Sequence, residues 1–257
     1  MIEMVINLFL AFIMALSFLT FIPMPMIQWT DKRIQLMPLT FPLVGAIIGG
    51  IGCALFYVLY VSGLTSLLKA ILLLLYYLFI TGGLHMDGLM DTADAYFSRR
   101  DKDKKLSIMK DSNIGAFAAM SIISLLMLKF AFIYEIFSKT SNLYLAVLFI
   151  PVLSRTLQTS MLYMFPFAKD DGLAKMYGES LRIQKLMYFY ILYMALAIGL
   201  MALFGTKVIW LSILPVAYYV FYYFSSKKNF GGITGDILGA FVELSELIMF
   251  GVLAFIY

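Results

Sequence analysis

The stretch from Phe41 to Val61, FPLVGAIIGGIGCALFYVLYV, contains no charged residue along its whole length. About 20 consecutive, mostly apolar residues form a helix long enough to cross the hydrocarbon core of a bilayer. The same criterion, applied along the chain, gives the expected spans Met4–Ile22, Phe41–Val61, Leu67–Leu84, Ile114–Phe137, Leu143–Phe165, Met187–Phe204, Val208–Phe224 and Ile237–Tyr257. We therefore predict an all-α integral membrane protein, a bundle of about eight transmembrane helices in one domain that covers residues 1–257.

The composition excludes most other classes of protein. Of the 257 residues, 63% are hydrophobic and 13% are charged, whereas a soluble domain averages about 45–50% apolar and about 25% charged residues. This balance rules out an ordinary soluble enzyme, a disordered chain and a collagen-like chain. The single cysteine, Cys53, excludes an internal disulfide framework and a cysteine-rich zinc site.

The distribution of Lys and Arg predicts the topology. Loops on the cytoplasmic side of a membrane protein carry an excess of these residues. Most cationic residues here fall in the first, third, fifth and seventh connections, whereas the opposite side of the membrane has only Lys69, Lys139 and Lys207. The pattern predicts a cell-membrane protein with both termini outside and its long loops in the cytoplasm. Because topology and anionic lipid headgroups explain the net charge of +4, the lipid bilayer is an expected partner and nucleic acid is not.

Three aspartates open the third connection, in the segment GGLHMDGLMDTAD at 82–94. Asp87, Asp91 and Asp94 stand at positions i, i+4 and i+7, which share one face of a helix. Carboxylates on one face repel one another unless a cation lies between them, and they are ligands that suit Mg2+ or Mn2+. The pattern therefore indicates a metal site at the cytoplasmic membrane surface. The alternative is a solvated acidic helix end.

The rest of the third connection supplies candidates for phosphate binding and proton transfer. Cations beside a metal can neutralise the oxygens of a diphosphate, and the candidates are Lys104, Lys105 and Lys110. His85, the only histidine, is a candidate general base, although a lone histidine is more often a structural residue. Asp111, just before the fourth span, is a candidate base or further metal ligand, with a helix N-cap as its alternative role.

A glycine-rich turn, NFGGITGD at 229–236, precedes the eighth span. Glycines let the backbone approach a ligand closely, and the helix N-terminus that follows presents free N–H groups suited to a phosphate. The candidate phosphate contacts are Gly231, Gly232, Thr234 and Gly235. Asp236 is a candidate metal ligand. The alternative is a tight turn in which Thr234 or Asp236 caps the helix.

Two glutamates interrupt the apolar sequence of the eighth span. Glu243 and Glu246 fall on roughly the same helix face as Asp236, and a carboxylate inside a span usually faces the bundle interior or a water-filled cavity. This predicts a polar cleft entered from the cytoplasm, with Arg155 of the fifth span as a candidate phosphate contact. The alternative is that one or both glutamates are protonated, or are paired with Arg155 or Lys129 for packing alone.

Several of these segments resemble one family. GGLHMDGLMDTAD at 82–94 and IMKDSNIGAF at 108–117 are similar to motifs of the cobalamin synthase family, the adenosylcobinamide-GDP ribazoletransferases. Ser154-Arg155 and GGITGDILGA at 231–240 also resemble that family. The likeness extends over almost the whole chain.

The resemblance implies a membrane transferase that joins adenosylcobinamide-GDP to α-ribazole or its 5′-phosphate. A ribose hydroxyl would attack the phosphoryl group attached to cobinamide, GMP would leave, and the nucleotide loop of adenosylcobalamin would be complete. Mg2+, with Mn2+ as a substitute, would bridge the diphosphate from a ligand set of Asp87, Asp91, Asp94 and Asp236. The catalytic loops would face the cytoplasm.

Two other functions stay open at this point. Spaced aspartates at a membrane surface also occur in CDP-alcohol phosphotransferases, so a CDP-alcohol or prenyl-diphosphate transferase is one alternative. A corrinoid or cation transporter is another, with Glu243, Glu246 and Arg155 along a path, although transport sites usually lie near the midplane. A homo-oligomer, or an association with other enzymes of the corrinoid pathway, is compatible with each function.

Overall fold

The computed structural model describes residues 2–139, 143–169, 173–178 and 183–256. Regular structure in these ranges is helical, apart from one isolated parallel β-bridge between Phe167 and Ile233. The α-helices, in chain order, are α1 (Ile2–Leu19), α2 (Asp31–Leu36), α3 (Phe41–Val61), α4 (Ser66–Ile80), α5 (Leu84–Phe97), α6 (Lys102–Ile108), α7 (Ala116–Lys139), α8 (Tyr144–Met164), α9 (Leu173–Gly178), α10 (Ile183–Phe204), α11 (Trp210–Phe230) and α12 (Gly235–Ile256).

The lengths of these helices confirm the prediction of a membrane bundle. Within the described ranges, seven helical segments are individually long and apolar enough to cross a membrane. They contain α1, α3, α7, α8, α10, α11 and α12. An eighth span is formed if α4 and α5 count together. The second span begins and ends at the predicted residues, Phe41 and Val61.

The turn after α4 is where the structure departs most from the predicted spans. The third span was expected to reach Leu84, but α4 ends at Ile80. Gly82 and Gly83 follow with φ of +62° and +71°, left-handed conformations that cost glycine little because it has no Cβ. The chain bends by 86° there, and α5 runs across the end of the bundle against the N-terminal turns of α7 and α12. We therefore treat the 15-residue helix α4 as the part of this pair that lies in the membrane, and α5 as lying outside the membrane-spanning segments.

The centre of the bundle consists of α8 and α12, which are buried along most of their length, whereas α7 and α10 lie at its perimeter. Helix α3 packs closely on α8 through Gly45 and Gly49. A Cβ at these glycines would collide with the backbone carbonyl groups of Pro151 and Leu148, respectively. Small residues four positions apart allow this approach, because helices in lipid associate mainly through van der Waals packing.

We expect Gly49→Ala to lower the midpoint of thermal unfolding in detergent. The added methyl group overpacks the contact with α8, at a cost of about 1–3 kcal/mol. Gly50→Ala is the matched control. Apart from its own helix backbone, no atom of the described residues lies within 4 Å of the place its Cβ would take, and alanine favours a helix more than glycine does. Scanning fluorimetry compares the two variants, and equal midpoints would contradict the close α3–α8 contact.

Candidate active site

The aspartates of α5 line a polar cavity of about 330 Å³. The helix presents Asp87, Asp91 and Asp94 on one side, in agreement with their spacing. Lys110 and Asp111, from the segment before α7, line the same cavity. The structure thus brings together five of the residues that the sequence singled out.

Asp91 is the carboxylate of this cavity whose pKa is raised by its surroundings. Burial, and then the charges of Asp87, Asp236 and Asp94, raise the pKa of Asp91 to about 6. In the described part of the chain, no Lys or Arg nitrogen lies within 4.0 Å of a carboxylate oxygen of Asp87 or Asp91. Clustered carboxylates without a cationic side chain favour the binding of a cation from outside the protein.

Asp94 has a different role from the other two aspartates. Its Oδ2 accepts a hydrogen bond from the backbone N–H of Gly115 at 2.7 Å, and its Oδ1 accepts one from Ala118 at 2.8 Å. These N–H groups belong to the start of α7, where no helical carbonyl is available to them. Asp94 therefore caps α7 from another helix. The structure shows this capping role for Asp94. Because each carboxylate oxygen keeps a further lone pair, metal binding by Asp94 stays a prediction.

The side chains do not form a complete metal site by themselves. Among the residues that the structure describes, no group of three His, Cys, Asp or Glu side chains is arranged to hold a metal ion. Asp87 and Asp91 are the two carboxylates of α5 that accept no side-chain or capping hydrogen bond among the described residues, whereas Asp94 accepts two. Mg2+ commonly uses a few carboxylates together with substrate phosphates and water.

Asp111 is held by its own turn. It accepts hydrogen bonds from the backbone and side-chain N–H groups of Asn113, at 3.0 and 2.7 Å. These bonds, and a smaller effect of the Lys104 charge, lower the pKa of Asp111. The alternative role of Asp111 as the cap of α7 is wrong, because Asp94 occupies that position.

Lys105 does not join Lys110 at the cavity. It is 6% exposed, and its Nζ donates a hydrogen bond to Asn229 Oδ1 at 3.0 Å. The same nitrogen lies 5.5 Å from the ring centroid of Tyr96 and 5.6 Å from that of Phe230. Lys105 therefore lies outside the aspartate cavity, and its predicted contact with a phosphate is not supported there.

The glycine-rich turn adopts the tight-turn alternative. Gly231 ends α11 with φ of +85°, and a Cβ on Gly232 would collide with the carbonyl group of Pro166. Thr234 caps α12, because its Oγ1 accepts a backbone N–H of that helix at 3.3 Å. These contacts explain the residues without a phosphate. In the part of the chain that the structure describes, no atom beyond the neighbouring backbone lies within 4 Å of the Cβ position of Gly235, so Gly235 stays a candidate for close approach of a ligand.

Asp236 lies near the aspartates of α5 because the backbone at the start of α12 packs directly against Gly88 of α5. A Cβ on Gly88 would lie 2.7 Å from the carbonyl oxygen of Asp236. Asp236 interacts electrostatically with Asp87 and with Lys169. Sequence reasoning did not select Lys169, because its position depends on the β-bridge that joins its segment to the glycine-rich turn.

Glu243 and Glu246 belong to a buried ion cluster. Lys129 Nζ lies 2.8 Å from Glu243 Oε2 and 3.4 Å from Glu246 Oε2, and Arg155 Nη1 pairs with Glu246 Oε1. All four side chains are at most 4% exposed. The prediction of a polar cleft is wrong, as is that of a phosphate contact by Arg155, because opposite charges attract strongly where water is excluded. The transporter alternative is not supported either, because the residues proposed to line a path are buried and paired with one another.

His85 faces the ion cluster rather than the aspartate cavity. It is 4% exposed and is absent from the cavity lining. Its backbone packs against Gly239 of α12, and it interacts electrostatically with Arg155. Residues two apart on a helix point to nearly opposite sides. Because Asp87 faces the cavity, His85 points toward the interior of the bundle. The prediction of His85 as the general base is not supported.

Fold and cavity define a class: a multi-span membrane protein whose unpaired carboxylates line a cavity at one end of the bundle. The family model for cobalamin-5-phosphate synthase matches residues 11–254. The chain therefore belongs to the cobalamin-5-phosphate synthase family, and its identification as a membrane transferase of cobalamin synthesis is confirmed.

Curated relatives support the same family. The chain is 37% identical to an adenosylcobinamide-GDP ribazoletransferase of Desulfitobacterium hafniense and 34% identical to one of Clostridium perfringens strain SM101. Each comparison covers 91% of this chain and 92% of the relative. A relative of the same name from Geobacillus thermodenitrificans is 34% identical over 93% of both chains. No solved structure matches the chain.

We expect Lys129→Met to destabilise the protein by about 3–5 kcal/mol, because it leaves buried carboxylates without their cation. The double variant Lys129→Met/Glu243→Gln should recover part of that loss. Lys139→Met is the control, since Lys139 pairs with Glu135 at a half-exposed position, where an ion pair contributes about 1 kcal/mol or less. Thermal unfolding in detergent measures all three, and a loss in Lys139→Met equal to that in Lys129→Met would refute the argument.

Asp94→Asn should lower the free energy of unfolding by about 1 kcal/mol, the usual value of a helix cap. The new amide nitrogen would face one of the two N–H donors of α7. Asp87→Asn, on the same face, should not lower stability, because no hydrogen bond to the Asp87 carboxylate is seen among the described residues and its charge repels Asp91. Chemical or thermal unfolding distinguishes them, and equal stability of the two variants would remove the capping role.

Proposed function

We propose that this chain joins adenosylcobinamide-GDP to α-ribazole or its 5′-phosphate, with release of GMP, at the aspartate cavity. The observation that carries the proposal is the pair of unpaired carboxylates, Asp87 and Asp91, in a cavity of a chain from this family. The names of the curated relatives agree with this reaction. The Lys-rich connections beside the cavity support a location in the cell membrane with the active site facing the cytoplasm and both termini outside.

The carboxylates fit Mg2+, and Mn2+ as its substitute. Asp87 and Asp91 supply two hard oxygen ligands, and Asp236 lies beside them. A diphosphate and water would complete the coordination, which agrees with the lack of three converging side-chain ligands in the described ranges. When bound, Mg2+ would neutralise the negative charge that develops on the departing GMP.

The chain's own residues bind and orient the reactants. Lys110 lines the cavity and Lys104 lies near Asp111, so both can contact phosphate oxygens. The new bond joins a ribose hydroxyl oxygen to the phosphorus attached to cobinamide, and the bond from that phosphorus to the oxygen of GMP breaks. Asp111, the sequence-based candidate for the base, lines the cavity, and its lowered pKa keeps its carboxylate ionised, so we assign acceptance of the hydroxyl proton to it as a weak base.

An assay of the purified protein in detergent tests this function. Supplied with adenosylcobinamide-GDP and α-ribazole 5′-phosphate, the wild type should release GMP and cobalamin phosphate in Mg2+ and lose this activity in chelator. Asp87→Asn and Asp91→Asn should each reduce turnover about 100-fold or more without loss of the folded protein. Mass spectrometry follows both products.

Asp103→Asn is the matched control for this assay, because Asp103 lies in exposed helix α6 outside the cavity lining. It should retain wild-type turnover. Full activity in Asp87→Asn, or in chelator, would refute the metal assignment. No turnover by folded wild-type protein would refute the proposed reaction and direct the assay to CDP-alcohol and prenyl-diphosphate donors.

A further inference from the structure

A second cavity of about 640 Å³ lies on the other side of α5. Its floor is α12, its walls are α7 and α11, and α5 closes one end. Its lining is mostly apolar and aromatic. We call this cavity the lateral groove.

The lateral groove opens sideways, toward the bilayer. Leu128 of α7 and Phe221 of α11 line it and are 47% and 62% exposed. Both helices are candidate membrane spans. The opening between them therefore faces acyl chains instead of water.

The lateral groove continues along α12 for a length that suits an acyl chain. A second apolar cavity, of about 410 Å³, shares Leu128 and Leu247 with it and reaches Phe255. The track runs beside α12 from Ala240 to Phe255, over which a helix rises about 22 Å. One leaflet is about half of a hydrocarbon core that is about 30 Å thick, so the track is at least as long as the acyl chains of one leaflet. The whole track can accommodate one chain of one leaflet.

Lys105 brings a positive charge to the α5 end of the lateral groove. Tyr96 and Phe230, the two rings beneath its Nζ, both line the groove. Its hydrogen-bond acceptor, Asn229 Oδ1, is neutral. No carboxylate of the described residues lies within 4.0 Å of this nitrogen, and burial lowers the pKa of Lys105. A buried ammonium group without a counter-charge favours a bound anion.

Four more cations stand close in sequence to residues that line this end of the groove, and all four are exposed. Arg99 and Arg100 follow Phe97 after one residue, and Lys227 and Lys228 come directly after Ser226. An apolar track that ends at clustered cations matches an amphiphile with an anionic head. A soluble anion would leave the track unfilled, and a zwitterionic lipid would leave the surplus positive charge unpaired.

We propose that the lateral groove binds one anionic glycerophospholipid of the adjacent leaflet. One of its two acyl chains lies along α12, the other stays in the adjacent leaflet, and its phosphate contacts Lys105. The site is separate from the aspartate cavity, on the opposite side of α5.

Native mass spectrometry of the full chain tests this site after exchange into equal amounts of phosphatidylglycerol and phosphatidylcholine. The wild type should retain phosphatidylglycerol in preference to phosphatidylcholine. Lys105→Gln should weaken retention of phosphatidylglycerol about fivefold, the effect of one cation at an anionic lipid surface, and leave that of phosphatidylcholine unchanged. Equal retention of both lipids by the wild type would overturn the proposal.

Lys69→Gln is the matched control. Lys69 also lies over a ring, 5.7 Å from the centroid of Tyr60, and donates to the Tyr60 carbonyl oxygen at 3.0 Å, but it stands at the opposite end of the bundle. It should keep the wild-type preference, and an equal preference in Lys105→Gln would overturn the proposal. Ser124→Trp fills the groove without touching Lys105 and should displace phosphatidylglycerol; unchanged retention would also overturn it. These readouts need no substrate, so they are independent of the transferase reaction.

Discussion

The structure depends on four charged side chains that neutralise one another between the central helices. Lys129 of α7 and Arg155 of α8 meet Glu243 and Glu246 of α12 in a cluster sealed from solvent. An ionised side chain inside a membrane span is stable only with a partner, so the cluster fixes how three helices lie against one another. Helix α5 packs on the first turns of α12 and α7. The position of the aspartate cavity therefore follows from this packing.

Pairing is the physical difference between the two sets of carboxylates in this protein. Glu243 and Glu246 have cationic partners and hold helices together, whereas Asp87 and Asp91 have none among the described residues. Burial, and then repulsion by the neighbouring carboxylates, raises the pKa of Asp91, so an added cation would lower the free energy at this place. A charged side chain in a membrane bundle can have a purely structural role. The carboxylates without a cationic partner are the ones that indicate a ligand site.

Local features of the sequence predicted the spans and the aspartate face, because both are properties of one helix. A run of apolar residues such as Phe41–Val61 and a spacing of i, i+4 and i+7 need no knowledge of neighbouring helices. The capping of α7 by Asp94 and the pairing of Glu246 with Arg155 are contacts between helices far apart in the sequence. The sequence offered the pairing as an alternative, but only helix packing decides it. The bend at Gly82 was not predicted for the same reason. It depends on a contact with Phe21, whose ring lies where a Cβ of residue 82 would be.

Helix α5 separates two environments that favour opposite chemistry. One side carries Asp87 and Asp91 into a polar cavity, and the other side carries Leu89 and Ala93 into the lateral groove. A helix is about 10 Å across, so both environments act on the same short segment. In water the apolar side would be exposed at a cost of about 25 cal/mol for each Å², which would favour rearrangement of α5. Apolar surroundings therefore hold α5 against the bundle, and they keep its aspartates at the cavity. The membrane is part of the support for this site even though the substrates proposed for it carry charged phosphates.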